Sequence, residues 1–380
     1  MRLALLCNEY PPQPHGGIGT FTQSYARAMV RDGHAVTVLG LGGRDAEHDD
    51  QGVRVVSVAQ PPPGRLISLR RRRRLRDVLA AEVTRLGIES VEVPDYEGLL
   101  PFAFPHCPVV VRLHATATLC ARWGAPRAPL ALRWFERATL RRHRNWIAPT
   151  RWVAAQTQRV LQAQPEALHV IANPAPEAVA PGAAGLALPP ADGPWVVFVG
   201  TLYEFKGALR AARVLREVLA VRPDVRGWFI GGEKTIAGAP SSVALREAVG
   251  PRADRLVFPG RIGRAQVAEI LRRAAVFLFP NPNEAFPMVF LEAMQHGAPI
   301  VGPARGCGPE ILRDGATALL ADPDDVPALA TAVLRLLGDP ILAARLRQEA
   351  WREVADRYAL ARCVADSLAV HGGRRQEAAR

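Results

Sequence analysis

The chain has 380 residues, 49% hydrophobic and 22% charged, with five cysteines and a formal net charge of +12 at pH 7. That length and balance describe a globular protein of two domains and exclude a largely disordered, collagen-like or disulfide-stapled chain. No apolar run reaches the ~18–20 residues of a bilayer span, and the cysteines, odd in number and without a C-x-x-C pair, argue against a zinc or disulfide framework.

Residues 3–7 open the chain as a buried strand. The run is too short for a secretion signal, polar Asn8 and Glu9 follow at once, and no small-residue cleavage site is present. A cytoplasmic protein is therefore expected. The loop from Tyr10-Pro11-Pro12 to Gly16-Gly17-Ile18-Gly19-Thr20 leads into a helix expected over 21–31. Segments 35–39, 53–58, 90–93, 109–113 and 146–148 are rich in Val, Ile and Leu on both faces, as central strands of a parallel sheet are. A further helix is expected over 130–142.

Between the third and fourth of these strands, Arg70 through Arg74 and Arg76 are flanked by Leu66, Ile67, Leu69, Leu75, Val78 and Leu79. This is a basic amphipathic helix. It suits anionic lipid headgroups at a membrane surface, or is a solvated face. Lysine stands only at 206 and 234, so nearly all the basic charge is arginine. The excess reflects an arginine-rich composition or attraction to an anionic partner.

From Asn173 to Pro194 the chain is rich in Pro, Ala and Gly and reads as an interdomain connection. The βα pattern then restarts, with strands expected at 195–199, 227–230, 256–258, 276–279 and 299–301 and a helix over 208–221. The last helical stretch, 341–370, is long enough to run back across the first domain. The expected fold class is α/β, with two Rossmann-like doubly wound domains facing across a deep cleft. They span 1–180, completed by a C-terminal helix over 356–372, and 181–355.

Several residues fall where such sheets bind ligands, beyond the C-terminal ends of strands. Gly16 and Gly17 precede a helix N-terminus, where amides approach an anion, although the loop is neither G-x-G-x-x-G nor a P-loop. His114 follows the strand 109–113. Gly200-Thr201 to Lys206-Gly207 precedes the helix over 208–221, and a lysine there points to an anion held between it and the helix amides. Glu284-Ala285-Phe286-Pro287-Met288 leads into a helix that is apolar nearly all round except for Glu292, a carboxylate that hydroxyls of a sugar or ribose would satisfy. An arginine elsewhere in the chain would satisfy it too. Gly302 to Glu310 forms another glycine-rich βα turn.

Together these segments resemble the family-4 retaining glycosyltransferases of the GT-B fold, in order and over nearly the whole chain. Tyr10-Pro11-Pro12 with Gly16-Gly17-Ile18-Gly19, Arg112-Leu113-His114 and Ala148-Pro149-Thr150-Arg151-Trp152 match the acceptor half. Val170-Ile171-Ala172-Asn173-Pro174, Lys206-Gly207 and Glu284-x7-Glu292-Ala293-Met294 match the rest, and the Glu-x7-Glu element is the specific part.

The resemblance implies that Glu284 holds donor-sugar hydroxyls, Glu292 the ribose hydroxyls, and Lys206 the departing diphosphate. Gly16 and Gly17 would lie near that diphosphate and His114 near the reacting sugar. Amides around Phe286, Pro287 and Met288 would cradle the sugar, and Arg261 and Ile262 would pack near the base. Many relatives carry Arg where this chain has Thr201, which leaves one diphosphate contact open. The implied reaction is a retaining, metal-free hexosyl transfer, with no cofactor beyond a UDP- or GDP-type sugar donor. The acceptor would be a saccharide or lipid-linked saccharide of envelope or exopolysaccharide synthesis, met at the inner face of the membrane. Other readings are a soluble natural-product acceptor, a sugar-nucleotide epimerase, or a non-enzymatic basic-surface binder of membrane or nucleic acid. Nucleic acid is not expected, because no recognisable module accompanies the arginines.

Overall fold

The structure is a computed structural model that describes residues 1–13, 16–64, 66–182 and 193–373. The chain divides into two compact units, Met1–Pro174 with the C-terminal segment from Leu360, and Ala175–Ala359. The crossings fall at Pro174/Ala175 and Ala359/Leu360, where the sequence places them at 180/181 and near 356. The two crossing segments are tied together, because the Ala175 N–H donates to the Tyr358 carbonyl at 2.8 Å. Of the Pro-rich connection, 183–192 lie outside the described residues, and 173–182 carry no helix or strand.

In unit 1 the elements run β1 (Arg2–Leu6), α1 (Gly17–Arg31), β2 (Ala35–Gly42), β3 (Ala46–Asp50), β4 (Val53–Ala59), α2 (Ile67–Leu86), β5 (Ser90–Pro94), β6 (Val109–Arg112), α3 (Ala117–Arg122), α4 (Leu130–Arg142), β7 (Asn145–Ala148), α5 (Arg151–Leu161) and β8 (Ala167–Val170). The sheet order is β3-β4-β2-β1-β5-β6-β7-β8, and every pairing is parallel except β3 with β4. Order reverses between β1 and β5, which is the switch point of a doubly wound sheet. The core gathers Leu3, Leu5, Val36 and Val38 from the strands against Tyr25 and Met29 of α1. Helix starts follow their caps. Thr116 Oγ1 accepts the Leu119 N–H at 3.0 Å, and Thr150 Oγ1 accepts the Val153 N–H at 3.2 Å.

Unit 2 runs β9 (Trp195–Val199), α6 (Ala208–Val221), β10 (Arg226–Ile230), a hairpin of β11 (Thr235–Ile236) and β12 (Ala239–Pro240), α7 (Ser241–Val249), β13 (Leu256–Gly260), α8 (Arg264–Arg273), β14 (Val276–Leu278), α9 (Met288–Gln295), β15 (Ile300–Pro303), α10 (Gly308–Ile311), β16 (Leu319–Ala321), α11 (Val326–Gly338) and α12 (Pro340–Arg357). Its sheet is wholly parallel, in the order β13-β10-β9-β14-β15-β16, with the switch point between β9 and β14. The fold class is thus α/β with two doubly wound units.

The terminal helical stretch is not one helix. It breaks at Tyr358, and α13 (Leu360–His371) belongs to unit 1. Tyr358 is buried and its hydroxyl donates to the Ile311 carbonyl at 3.2 Å, which pins the break. The edge strands β3, β8 and β16 escape a reading of the sequence because they are short or polar; β3 is Ala-Glu-His-Asp-Asp. Among the described residues no single helix is long and apolar enough to cross a membrane.

Candidate active site

At the unit 2 switch point, β9 ends at Val199 and the chain turns through Gly200 and Thr201. A 3-10 turn over Glu204–Lys206 follows, and left-handed Gly207 (φ +84°) starts α6. This delivers Lys206 beside the loop after β14. Its Nζ lies 2.5 Å from Glu284 Oε1, and Asn281 Nδ2 lies 3.5 Å from the same oxygen. The loop after β15 braces this arrangement. Gly306 has φ +75°, and a Cβ there would stand 2.0 Å from the Pro282 carbonyl oxygen, so only glycine lets the two loops meet.

Pro287 precedes α9, whose first turn leaves amides without intrahelical partners. The Phe286 ring is buried, edge-on to Tyr358 with centroids 6.0 Å apart. Its side chain is therefore part of the packing, and any donor contact at 286 falls to the backbone. Met288 is half-buried. Glu292 is half-buried too, with Arg264 Nε 3.8 Å from its Oε1. Burial raises its pKa and Arg264 opposes the rise. The arginine partner that the sequence leaves open is thus present, though beyond hydrogen-bond length.

Arg261 and Ile262 follow β13. Arg261 is exposed and reaches over the end of β10, its Nε 2.9 Å from where a Cβ on Gly232 would stand. Gly232 accepts the Leu202 N–H at 2.9 Å. An arginine thus stands at the same strand edge as Thr201, the residue after Gly200.

In unit 1, Gly16 is the N-cap of α1 and Gly17 its first residue, four residues earlier than the expected start. The Gly16 N–H donates to Glu9 Oε2, so a carboxylate already sits at this helix N-terminus. His114 is half-buried, edge-on to Phe21 with centroids 5.4 Å apart, and its backbone N–H donates to Asp95 Oδ1 at 2.7 Å. Burial, with help from the nearby Arg112 charge, pushes its pKa down to about 3, so the imidazole is neutral at physiological pH.

Asp95 is fully buried directly after β5, and its Oδ2 has no hydrogen-bond partner among the described residues. Burial pushes its pKa up to about 8. The sequence reading passed over it, although it meets the criterion that picked out His114, the first position beyond a central strand. Arg112 is wholly internal. Its Nε lies 2.6 Å from Glu92 Oε1, and its Nη2 donates to Tyr25 Oη at 3.1 Å and to Ser367 Oγ of α13 at 2.9 Å.

The arginine run is sorted by α2 geometry. Arg72 is buried, donating to the Gly98 carbonyl at 2.7 Å and to the Glu97 carbonyl, with its guanidinium 3.9 Å from the Phe135 ring centroid. It is thereby removed from the face that the sequence offers to a membrane or to solvent. Arg74 pairs with Asp45 at 2.8 Å and Arg76 with Asp77 at 2.6 Å. Arg70 and Arg73 are exposed and make no ion pair among the described residues.

A family model described as glycosyl transferases group 1 matches residues 193–339, and one described as a glycosyl transferase 4-like domain matches residues 16–174. The D-inositol 3-phosphate glycosyltransferase of Acidothermus cellulolyticus is 33% identical over 200 residues, covering 50% of this chain and 43% of that protein. The glycogen synthase of Mycobacterium tuberculosis is 26% identical over 381 residues, covering 91% of this chain and 88% of the relative. Against the D-inositol 3-phosphate enzymes the alignment thus spans less than half of the relative's length. Sucrose-phosphate synthase from Thermosynechococcus elongatus shares the fold with a TM-score of 0.76 at 20% identity, covering 98% of each chain. Anabaena HepE in complex with UDP does so at 0.72 and 17%, covering 98% of this chain and 99% of that one.

Proposed function

Because the chain belongs to the group 1 glycosyltransferases and shares their GT-B fold, we propose that it moves a hexosyl group from a nucleoside-diphosphate sugar to a saccharide or lipid-linked acceptor. Retention of anomeric configuration and independence of metal are part of the proposal. The observation that carries it is the meeting of Lys206 with Glu284, 78 residues apart in sequence, at the β9/β14 switch point, where open α/β sheets bind ligands.

Lys206 would hold the diphosphate as its bond to the sugar C1 breaks, supplying charge where negative charge develops. Glu284 would hold sugar hydroxyls and Glu292 the ribose. The new bond forms between C1 and the acceptor oxygen, and the acceptor proton passes to the leaving phosphate oxygen on the same face. The acceptor would be met at the cytoplasmic membrane face in envelope polysaccharide synthesis. Arg70 and Arg73, exposed on α2, support that reading.

The test is a thermal-shift titration with UDP, GDP, ADP and dTDP, since a ligand of the native state raises its stability. The Anabaena neighbour is described with UDP, which makes UDP the first choice. One nucleotide should stabilise the wild type. Transfer from the matching sugar nucleotide should give an anomer of unchanged configuration by proton NMR and should survive EDTA. No response to any nucleotide, or inversion, or loss in EDTA, removes the corresponding part of the proposal.

A further inference from the structure

The Glu292 carboxylate makes no hydrogen bond among the described residues, and Arg264 Nε stops 3.8 Å from its Oε1. Arg264 is the first residue of α8, where a cation opposes the helix dipole and adds nothing to helix stability. Its contacts lie outside that helix. Its Nη2 donates to the Glu177 carbonyl, in the segment that opens unit 2 after the Pro174/Ala175 crossing.

This segment has no helix or strand to occupy its carbonyls, so side chains of α8 and α9 occupy them instead. Gln295 Nε2, from the last residue of α9, donates to the Pro176 carbonyl at 2.8 Å, and Arg272 Nη2 of α8 donates to the Val179 carbonyl. The Ala175 N–H is tied to Tyr358. Residues 175–179 thus form a strap on unit 2, gripped by the two helices that carry Arg264 and Glu292.

The bond to Glu177 sets where Arg264 stands. A guanidinium without it matches a carboxylate as a bidentate fork and would take the Glu292 oxygens for itself. Held at 3.8 Å, Arg264 acts through charge alone. It opposes the effect of burial on Glu292 and leaves the acceptor sites of the carboxylate to hydroxyl donors.

We infer that Arg264 is a positioning residue of the nucleotide site and that the strap 175–179 sets its position, so that occupancy of Glu292 and attachment of the strap are coupled. This rests on the reading of Glu292 as the partner of the ribose. A hydroxyl donor on Glu292 fixes the carboxylate that Arg264 faces, and Arg264 is fixed in turn on Glu177. By linkage, the factor by which nucleotide holds the strap is the factor by which the strap strengthens nucleotide binding.

The experiment is hydrogen–deuterium exchange across 175–180 in the full chain, without nucleotide and with saturating UDP or GDP, beside calorimetric affinities for each nucleotide and its 2′-deoxy form. Bound ribonucleotide should slow exchange at Ala175 and Val179 about fivefold, the lower range of such couplings, and the 2′-deoxy form should slow it less. Arg264→Gln should remove the slowing and weaken the ribonucleotide by the same factor, with the 2′-deoxy form unchanged. Arg264→Lys should restore part of both. An arginine that served the fold alone would change both nucleotides alike. Gln295→Ala frees the Pro176 carbonyl without altering Arg264 or Glu292. It should speed strap exchange and weaken the ribonucleotide, and it keeps the test open if Arg264→Gln fails to fold. Ribonucleotide binding with strap exchange unchanged, or a ribonucleotide preference that survives intact in Arg264→Gln, overturns the inference and leaves the donor reading standing. Binding of no nucleotide at all removes both.

Discussion

Lys206 Nζ and Glu284 Oε1 are 2.5 Å apart, a contact between the two side chains assigned to opposite parts of a sugar diphosphate. A diphosphate that recruits Lys206 competes with Glu284 for it. Glu284→Gln removes the competing charge. It is expected to tighten nucleoside diphosphate binding about two- to fivefold, the scale of a partly exposed ion pair. Transfer should meanwhile slow by roughly 100-fold, as on loss of an electrostatic contact at a reacting centre. Lys206→Ala should weaken both. Calorimetry and initial rates on the same variants decide, and weaker nucleotide binding in Glu284→Gln contradicts the competition.

Glu292 is tested through the ribose. A charged hydrogen bond is worth about 1.5–3 kcal/mol, so the wild type should prefer a ribonucleoside diphosphate over its 2′-deoxy form by roughly tenfold or more. Glu292→Ala should bind both equally. Because burial raises the Glu292 pKa, that preference should fade with acid at a pH above the ordinary carboxylate range. A preference unchanged in the variant places the ribose elsewhere.

Asp95 sets a pH dependence of stability. Its pKa is raised to about 8 in the fold, against about 3.9 in an unfolded chain. The unfolded state releases this proton first, so the contribution is complete below pH ~4 and is lost as pH rises through about 8. Asp95→Asn imitates the protonated form. It should flatten the denaturant midpoint between pH 5 and 8 and match or exceed the wild type at the upper end. Parallel profiles for the two proteins refute the assignment.

The C-terminal helix is expected to depend on one buried ion pair. Glu92 and Arg112 are joined at 2.6 Å, Arg112 also reaches Ser367, and His371 Nε2 lies 3.1 Å from Glu92 Oε2. Removing one partner strands the other, a cost of about 3–5 kcal/mol. Glu92→Gln should therefore lose a large share of a typical domain's stability margin and expose α13 to proteolysis near Tyr358. Burial alone would raise the Glu92 pKa, but the Arg112 charge and bonds from His371 and Arg112 bring it down to about 2. Its contribution, present above the ordinary carboxylate range, should disappear as pH falls from ~4.5 toward 2. An unshifted melting temperature in Glu92→Gln refutes the prediction.

On α2, the arginines placed to meet an anionic membrane are the exposed Arg70 and Arg73. Each exposed arginine contributes about 1 kcal/mol near an anionic surface. Replacing both by Gln should reduce co-sedimentation with phosphatidylserine vesicles by roughly tenfold or more at low salt, without altering the melt. Arg72→Gln should instead unfold the Glu97–Gly98 turn. Undiminished sedimentation of the double variant excludes this surface.

Much of this architecture was legible because it is written in local pattern. The strands 35–39 and 53–58 are β-branched runs, and their neighbours in the sheet need no other signal. Pro287 and Gly297 bracket α9 as residues that begin and end helices. Glu284, Glu292, Lys206 and His114 stand out because polar residues just beyond apolar strands, or inside apolar helices, must be satisfied by something. Asp95 occupies the same kind of position and was missed, since a polar residue after a strand is also what any loop begins with.

What the sequence determined by itself is most of the central strands, the two-unit α/β class and the family, all of which depend on residues close in the chain or on a motif of fixed spacing. What only the tertiary structure decided is which partner each charge takes. Six arginines within seven residues look alike in the sequence. On α2, at 100° per residue, Arg72 enters the core, Arg71 is half-buried, two meet aspartates and two face water. The contacts of Arg112 with Ser367 and of Lys206 with Glu284 join residues 255 and 78 positions apart, and no local pattern encodes a distance that only the folded chain creates.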